Sequence, residues 1–407
     1  MIIGAAVGHS SHDLSFAIPR ANPAASSKQS RVSLGKTRPL GLHKAQQALR
    51  QAHLTAQAQK ATSEAEHQQI LNSLQPGQLS MATDALLAHT MPSLFGDALT
   101  PQQMGKHGCM RFFLNQQGLK IASYYWPASP EVKLRGVVLA VHGHGLYLLH
   151  EFLRGQGPGQ AVLYEGSWIQ EWNKAGFSVC GIDQQSHGFS ESIYGFRCYV
   201  DTFDHYVEDV LHFASILQRS DVEGFSQLPL FLCGESLGGC IAVHAIARLG
   251  RQFKGAILLS PMLSLEKTAS KGINYYLRPV ATLLSWVFPT WALVATDRNT
   301  MFPELQKEWD MDPLAWHGRT RVRVASEYLR ASKNVLKRMH TFTFPFLCFH
   351  SEEDTLTDPE GSKLLHQRSK ASDKTLVHPK AMWHSLVKEK GNAELLELTI
   401  SWMLDRC

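Results

Sequence analysis

The chain has 407 residues, 44% hydrophobic, 9% aromatic and 18% charged, with a formal net charge of +5; that is enough apolar material for one large α/β domain with an elaboration, and it excludes disorder throughout. The positive balance is local. Residues 1–63 hold eight Lys/Arg against one acid, Asp13, the rest is close to neutral, and nothing reads as a basic stripe for nucleic acid.

Residues 1–91 form a leader and a polar helical linker. The first 63 are rich in Ser, Ala and Gln and nearly lack acids, the composition of an organelle transit peptide, plastid ahead of mitochondrion. The bland alternative is a tail without an address on a cytoplasmic protein. The seven cysteines all lie in the body, scattered and without a Cys-x-x-Cys pair. An odd number so placed suits buried thiols in a reducing compartment better than a disulfide framework.

The body starts at about Pro92. Arg111 to Leu114 and Leu119 to Trp126, separated by Asn115-Gln-Gln-Gly118, predict a hairpin. Gly136 to Val141 is a short apolar run, read as a buried strand ending in His142-Gly143-His144-Gly145. The Gly-rich interval from Leu146 to Tyr164 is read as a loop over the mouth of the site. Phe177 to Ile182, Leu230 to Cys233, Gly255 to Leu259, Pro345 to Phe349 and Lys374 to Val377 are further strands. Helical periods lie between most of them, as in Trp168 to Ala175, Asp204 to Leu217, Lys363 to Lys370 and Asn392 to Leu404. Antiparallel opening strands followed by strand and helix in alternation give an α/β fold with a mostly parallel, doubly wound sheet.

One interval breaks the alternation. Leu263 to Phe344 is far too long for a connection and must be a structured insertion. The chain therefore divides into a core at 92–262 and 345–407 and a helical cap at 263–344. The cap's apolar stretch, Ile273 to Ala295, is broken by Pro279 and Pro289. It suits a cap core, or an acyl-binding lid whose rim makes peripheral contact with a membrane or lipid droplet, better than a membrane span.

The run from Leu228 to Gly250 carries the chemistry. An apolar strand meets Gly234-Glu-Ser236-Leu-Gly238-Gly239, and an Ala-rich helix follows. Gly-x-Ser-x-Gly in that setting is a sharp turn that lifts a serine hydroxyl clear of the sheet. Serine needs a base, an acid that fixes the base, and donors for an oxyanion. After the strand that follows the insertion come Glu352, Glu353, Asp354 and Asp358; Asp354 is preferred, because Asp358 precedes Pro359 as a helix cap would. After the last strand comes His384, preferred to His378 and His350. The order Ser, Asp, His is that of a doubly wound hydrolase, and the oxyanion donors are then the amides of Leu237 and His144. His142 and His144 could instead bind metal, but no further ligand stands at a suitable spacing, so no metal and no cofactor are expected.

From Arg111 onward the chain resembles the monoacylglycerol-lipase-like, or lysophospholipase-like, branch of the α/β-hydrolases (serine aminopeptidase S33-type). His-Gly-His-Gly at 142–145 looks like that branch's His-Gly-x-Gly loop, and Gly-Glu-Ser-Leu-Gly-Gly at 234–239 like its elbow. Asp183-Gln-Gln-Ser-His187-Gly188-Phe-Ser190 is similar to its Asp-x-x-Gly-His-Gly-x-Ser segment, and Asp312-Pro-Leu314 with Arg321-Val-Arg323 falls where its cap carries similar residues. The resemblance implies a triad of Ser236, Asp354 and His384, oxyanion amides at His144 and Leu237, structural roles for Asp183 and His187, and an acyl ester or lipid substrate. Ser186 stands where the family has Gly, Glu235 where animal members have His, and the Leu146 to Tyr164 segment is longer than usual. Rival expectations are a carboxylesterase for short or phenolic esters, an acyltransferase using the same triad, and a non-catalytic binding homologue.

Overall fold

The computed structural model describes residues 99–219, 222–277 and 281–407; the leader lies outside the described residues. Eight strands form one sheet in the order β1-β2-β4-β3-β5-β6-β9-β10. They are β1 Cys109–Leu114, β2 Lys120–Trp126, β3 Gly136–Val141, β4 Phe177–Ile182, β5 Leu230–Glu235, β6 Gly255–Leu259, β9 Phe346–Phe349 and β10 Lys374–Val377. β1 pairs antiparallel with β2, and β2 with β4, while every pairing from β4 to β10 is parallel.

The hairpin turns where the sequence puts it. Asn115 Oδ1 accepts the Gln117 and Leu119 amides at 3.0 and 2.9 Å, and Gly118 takes the left-handed φ of 68° that the turn demands.

β3 shows why the central strands read as unbroken apolar runs. All six residues are buried, because the sheet is covered on both faces. Val137, Leu139 and Val141 enter a core cluster with Phe203, Val210 and Ile241; Val138 and Ala140 enter a second one with Phe152, Trp172 and Trp402. The helices Phe203–Arg219 and Leu237–Leu249 cover the first face, and Trp168–Lys174 and Asn392–Leu404 the second. The alternation of period two along the strand thus becomes two cores.

Between β6 and β9 the insertion contains short helices, a two-stranded ribbon of β7 Ala292–Val294 and β8 Thr320–Arg321, a helix Pro303–Met311 and a long helix Val322–Arg338. The long helix packs on the main body: Val324, Tyr328, Ala331 and Val335, spaced by four, three and four residues, lie in the first core cluster. The expectation for Leu146 to Tyr164 also needs correction. Its first part is a buried helix, Leu148–Phe152, because Leu148, Leu149 and Phe152 fill the second core. The Gly-rich remainder lies against the cap, with Gly155 so close to Glu308 that an added Cβ would stand 2.5 Å from Oε2.

Candidate active site

The loops that carry chemistry all leave the carboxyl ends of parallel strands, the edge at which open α/β sheets bind ligands. At the end of β5, Ser236 has φ 53° and ψ −115°, a strained conformation for a residue with a side chain. The surroundings over-determine it. Its amide donates to Leu259 O at 2.9 Å and its carbonyl accepts Met262 N–H at 2.9 Å. A Cβ at Gly238 would lie 2.0 Å from Val141 O, and one at Gly234 2.4 Å from the Gly238 backbone. The elbow is therefore a place where only backbone fits, and the serine side chain faces the pocket.

Of the acids that follow β9, Asp354 is the one that reaches the histidine after β10: His384 Nδ1 stands 2.7 Å from Asp354 Oδ2. Both side chains are buried. The Leu356 and Thr357 amides donate to Asp354 Oδ1 at 2.8 and 3.1 Å, and the Thr357 hydroxyl to Oδ2 at 2.8 Å. Burial works to raise the pKa of Asp354. The nearby His384 and His350 and their hydrogen bonds outweigh it and hold the carboxyl well below the usual range. For His384 burial works downward, and Asp354 and its hydrogen bond carry it above the ordinary histidine value. His350 is a second imidazole on the same carboxylate, Nε2 lying 3.2 Å from Asp354 Oδ2 with Nδ1 2.7 Å from Ser362 Oγ. His378 is tied instead to the His350 carbonyl at 2.8 Å. Asp358 stands at the N-cap of the helix Pro359–Arg368 but turns its carboxylate to the Ser264 hydroxyl and Lys267 amide, at 2.8 and 3.0 Å.

The loop after β3 sits on the elbow. A Cβ at Gly143 would be 3.3 Å from Ser236 Cβ. His142 stays out of the pocket and braces the loop, its Nε2 accepting the Gln184 amide at 2.8 Å. Among the described residues, the amides of His144 and Leu237 enter no loop, turn or cap hydrogen bond, and both residues flank Ser236. The cap grips this loop: Trp316 N–H donates to Gly145 O at 2.8 Å, Tyr147 hydroxyl to Asp312 Oδ2 at 2.8 Å, and Tyr328 hydroxyl lies 2.9 Å from His144 Nδ1.

Asp183 is a brace, accepting Tyr124 hydroxyl, Leu148 N–H and Phe189 N–H at 2.8, 2.9 and 2.8 Å. Ser186 has φ 68°, which is why the family position suits glycine. The fold also brings His144, His187 and Cys198 within 4.8 Å of one another, a juxtaposition the spacing does not reveal. Both His144 nitrogens face hydroxyls, of Tyr328 and Thr320, and burial pushes the Cys198 thiol up to about 12.

Three buried acids support the site in ways their sequence positions do not reveal. Glu389 accepts the Trp383, His384 and Ser385 amides at 2.5, 3.0 and 2.8 Å, which fixes the loop carrying His384. Glu151 and Glu235 lie beside Ser236 in the pocket wall. No signal in the sequence separates them from solvated acids. The pocket encloses about 220 Å³. Met262, Leu265, Leu284, Leu305, Leu329 and Leu356 give it an apolar side, and His150, Glu151, Glu308 and Lys388 a polar one.

The model of a family described as serine aminopeptidase, S33, matches residues 159–391. Monoglyceride lipase of Rattus norvegicus is 28% identical over 263 residues, 61% of this chain and 83% of that protein. Caffeoylshikimate esterase of Arabidopsis thaliana is 26% identical over 298 residues, 72% of this chain and 83% of that protein. A soluble variant of monoglyceride lipase from Saccharomyces cerevisiae, solved with a substrate analog, superposes with a TM-score of 0.60 at 19% identity, covering 77% of this chain and 98% of that one. The monoacylglycerol lipase of Paleococcus ferrophilus gives 0.57 at 20% identity, covering 70% and 99%. The two structures share the α/β-hydrolase fold with this chain.

Proposed function

The chain belongs to the serine aminopeptidase S33 family of α/β-hydrolases, and from that premise we propose that it is a serine ester hydrolase of the monoacylglycerol lipase type. The observation that carries the reading is the 2.7 Å contact from Asp354 to His384 Nδ1, with Nε2 left as the base in the pocket that holds the strained Ser236. His384 takes the Ser236 proton as the hydroxyl oxygen attacks the ester carbonyl, and Asp354 stabilises the imidazolium. The amides of His144 and Leu237 receive the oxyanion. Collapse expels the alcohol, which leaves with the proton from His384. Water then attacks the acyl-enzyme, giving its proton to the same imidazole, which passes it to the Ser236 oxygen as that bond breaks and the fatty acid departs.

The apolar side of the pocket suits an acyl chain and the polar side a hydroxylated alcohol, which favours a monoacylglycerol. The likeness to a caffeoylshikimate esterase keeps hydrolysis of phenolic esters as the second reading. The test is an ester series varied in acyl length and leaving group, with Ser236→Ala as the blank. Each buried CH₂ contributes about 0.8 kcal/mol, roughly fourfold. kcat/KM should therefore climb with chain length on glycerol esters until the pocket is full. A preference for short or phenolic esters sinks the lipase reading, and more than about a hundredth of wild-type activity in Ser236→Ala sinks the nucleophile. An alcohol acceptor added to the same assay separates hydrolysis from acyl transfer.

The cap supports a further proposal, contact with lipid surfaces. Leu283, Trp286, Val287 and Trp291 are 66%, 74%, 55% and 50% exposed, more large apolar surface than a soluble face usually carries. Among the described residues no helix is long and apolar enough to cross a membrane. The composition of residues 1–63 supports import into a plastid; uptake and shortening of the full chain by isolated chloroplasts is expected, and retention at full length outside them overturns it.

A further inference from the structure

Glu151 and Glu235 come from different elements and meet behind the nucleophile. Glu151 belongs to the buried helix after β3, and Glu235 is the last residue of β5, next to Ser236; they are 2% and 3% exposed. Their carboxyl groups lie close enough to act on one another, and the buried Glu235 Oε1 has no hydrogen-bond donor among the described residues. Glu151 Oε2 accepts the Gly143 amide at 3.2 Å. The pair therefore joins two of the segments that meet at the site, the loop of His144 and the elbow of Ser236.

Two carboxylates in contact and away from water cannot both stay charged. We infer that Glu151 and Glu235 hold one proton between them, and that this acid–carboxylate pair is the positioning device that keeps the loop bearing the His144 amide seated on the elbow. The inference rests on the reading of Ser236 as nucleophile. Burial, then Glu151, then Glu389 push Glu235 up, and burial raises Glu151 as well, eased by Glu235, the Gly143 amide, His384 and Lys388; the proton belongs to the pair. The charged and titratable groups around the pair are His384, Lys388 and Glu389 from the base loop and Cys233 from β5, with Glu308 and Asp312 of the cap acting on Lys388.

Loss of the shared proton at alkaline pH sets two negative charges against each other and unseats the loop. The oxyanion exists only in the transition state, so kcat falls and KM stays. The full chain is assayed on a soluble ester from neutral to alkaline pH, with Ser236 labelling by a fluorophosphonate as a separate readout. Wild type should show a descending alkaline limb in kcat alone. Glu235→Gln replaces the shared proton with an amide donor; it should lack the limb and be about tenfold more active at neutral pH than Glu235→Ala, which leaves Glu151 unpartnered. Lys388→Met should keep the limb, displaced to higher pH, because a cation that eases ionisation is gone. Lys388 itself is brought down to about 8 by burial, so a limb abolished in Lys388→Met and intact in Glu235→Gln overturns the inference. Equal activity of Glu235→Gln and Glu235→Ala overturns it too. An unlabelled wild-type Ser236 overturns instead the nucleophile on which it stands.

Discussion

At the scale of the residue, Asp354 sets two pH dependences of opposite sense. Its folded pKa lies below the ordinary carboxylate value of about 3.9, so the stability it supplies is complete above that value and is lost as pH falls through the depressed one. His384 lies above the ordinary histidine value of about 6.5. The stability that this gain brings is present below the ordinary value and disappears as pH rises through the folded one. Activity runs the other way, because the base must be neutral. The acid limb of kcat/KM should therefore lie above about 6.5. Asp354→Asn should cost about 10⁴-fold in kcat and carry the limb downward; a limb that stays put assigns it to another group. Asp354 was legible beforehand because Pro359 marks its rival as a helix start. Its second imidazole, His350, was not, because its role is fixed by Ser362 and Thr357, contacts that exist only in the fold.

At the scale of the element, the loop between β10 and the helix Asn392–Leu404 has little regular structure and yet must hold an imidazole to a fraction of an ångström. Glu389 does this by gathering three consecutive amides, those of Trp383, His384 and Ser385, as an anion in a nest of N–H groups does. Glu389→Ala should release those amides to hydrogen exchange and lower kcat by about 10²-fold with KM little changed. Unaltered exchange at those three amides would show that the loop holds itself. Elements differed in how far they could be read. β3 was plain because Val137 to Val141 are all buried and all apolar. The helix Val322–Arg338 was hidden: its stripe of Val324, Tyr328, Ala331 and Val335 is interrupted by Arg323, Arg330 and Lys333, whose charges belong to the outer face. The buried acids stayed invisible because burial is a property of the neighbours.

At the scale of the whole molecule, a hydrolase of water-insoluble esters has to meet its substrate at an interface. The exposed Leu283, Trp286 and Trp291 lie on the cap, and Arg323 stacks over the Trp286 ring at 5.5 Å. The paired substitutions Leu283→Ser and Trp286→Ser should weaken co-sedimentation with anionic vesicles by about tenfold or more, with kcat/KM on a soluble short ester retained. Equal loss on both readouts would mean that the patch packs within the protein. The fold was legible at this scale from the alternation of strands and helices alone. The route of the insertion was not, because its last helix returns to a core that the sequence assigns to others.

The stitches between Trp316 and Gly145, and between Tyr147 and Asp312, fasten the cap to the loop that carries His144. Any excursion wide enough to admit a bulky tail must slacken the very strap on which the charge-accepting amide rides. A gaping enzyme is thus a disarmed one, and pre-steady-state traces should begin with a delay that lengthens with the girth of the incoming chain and vanishes for slender esters.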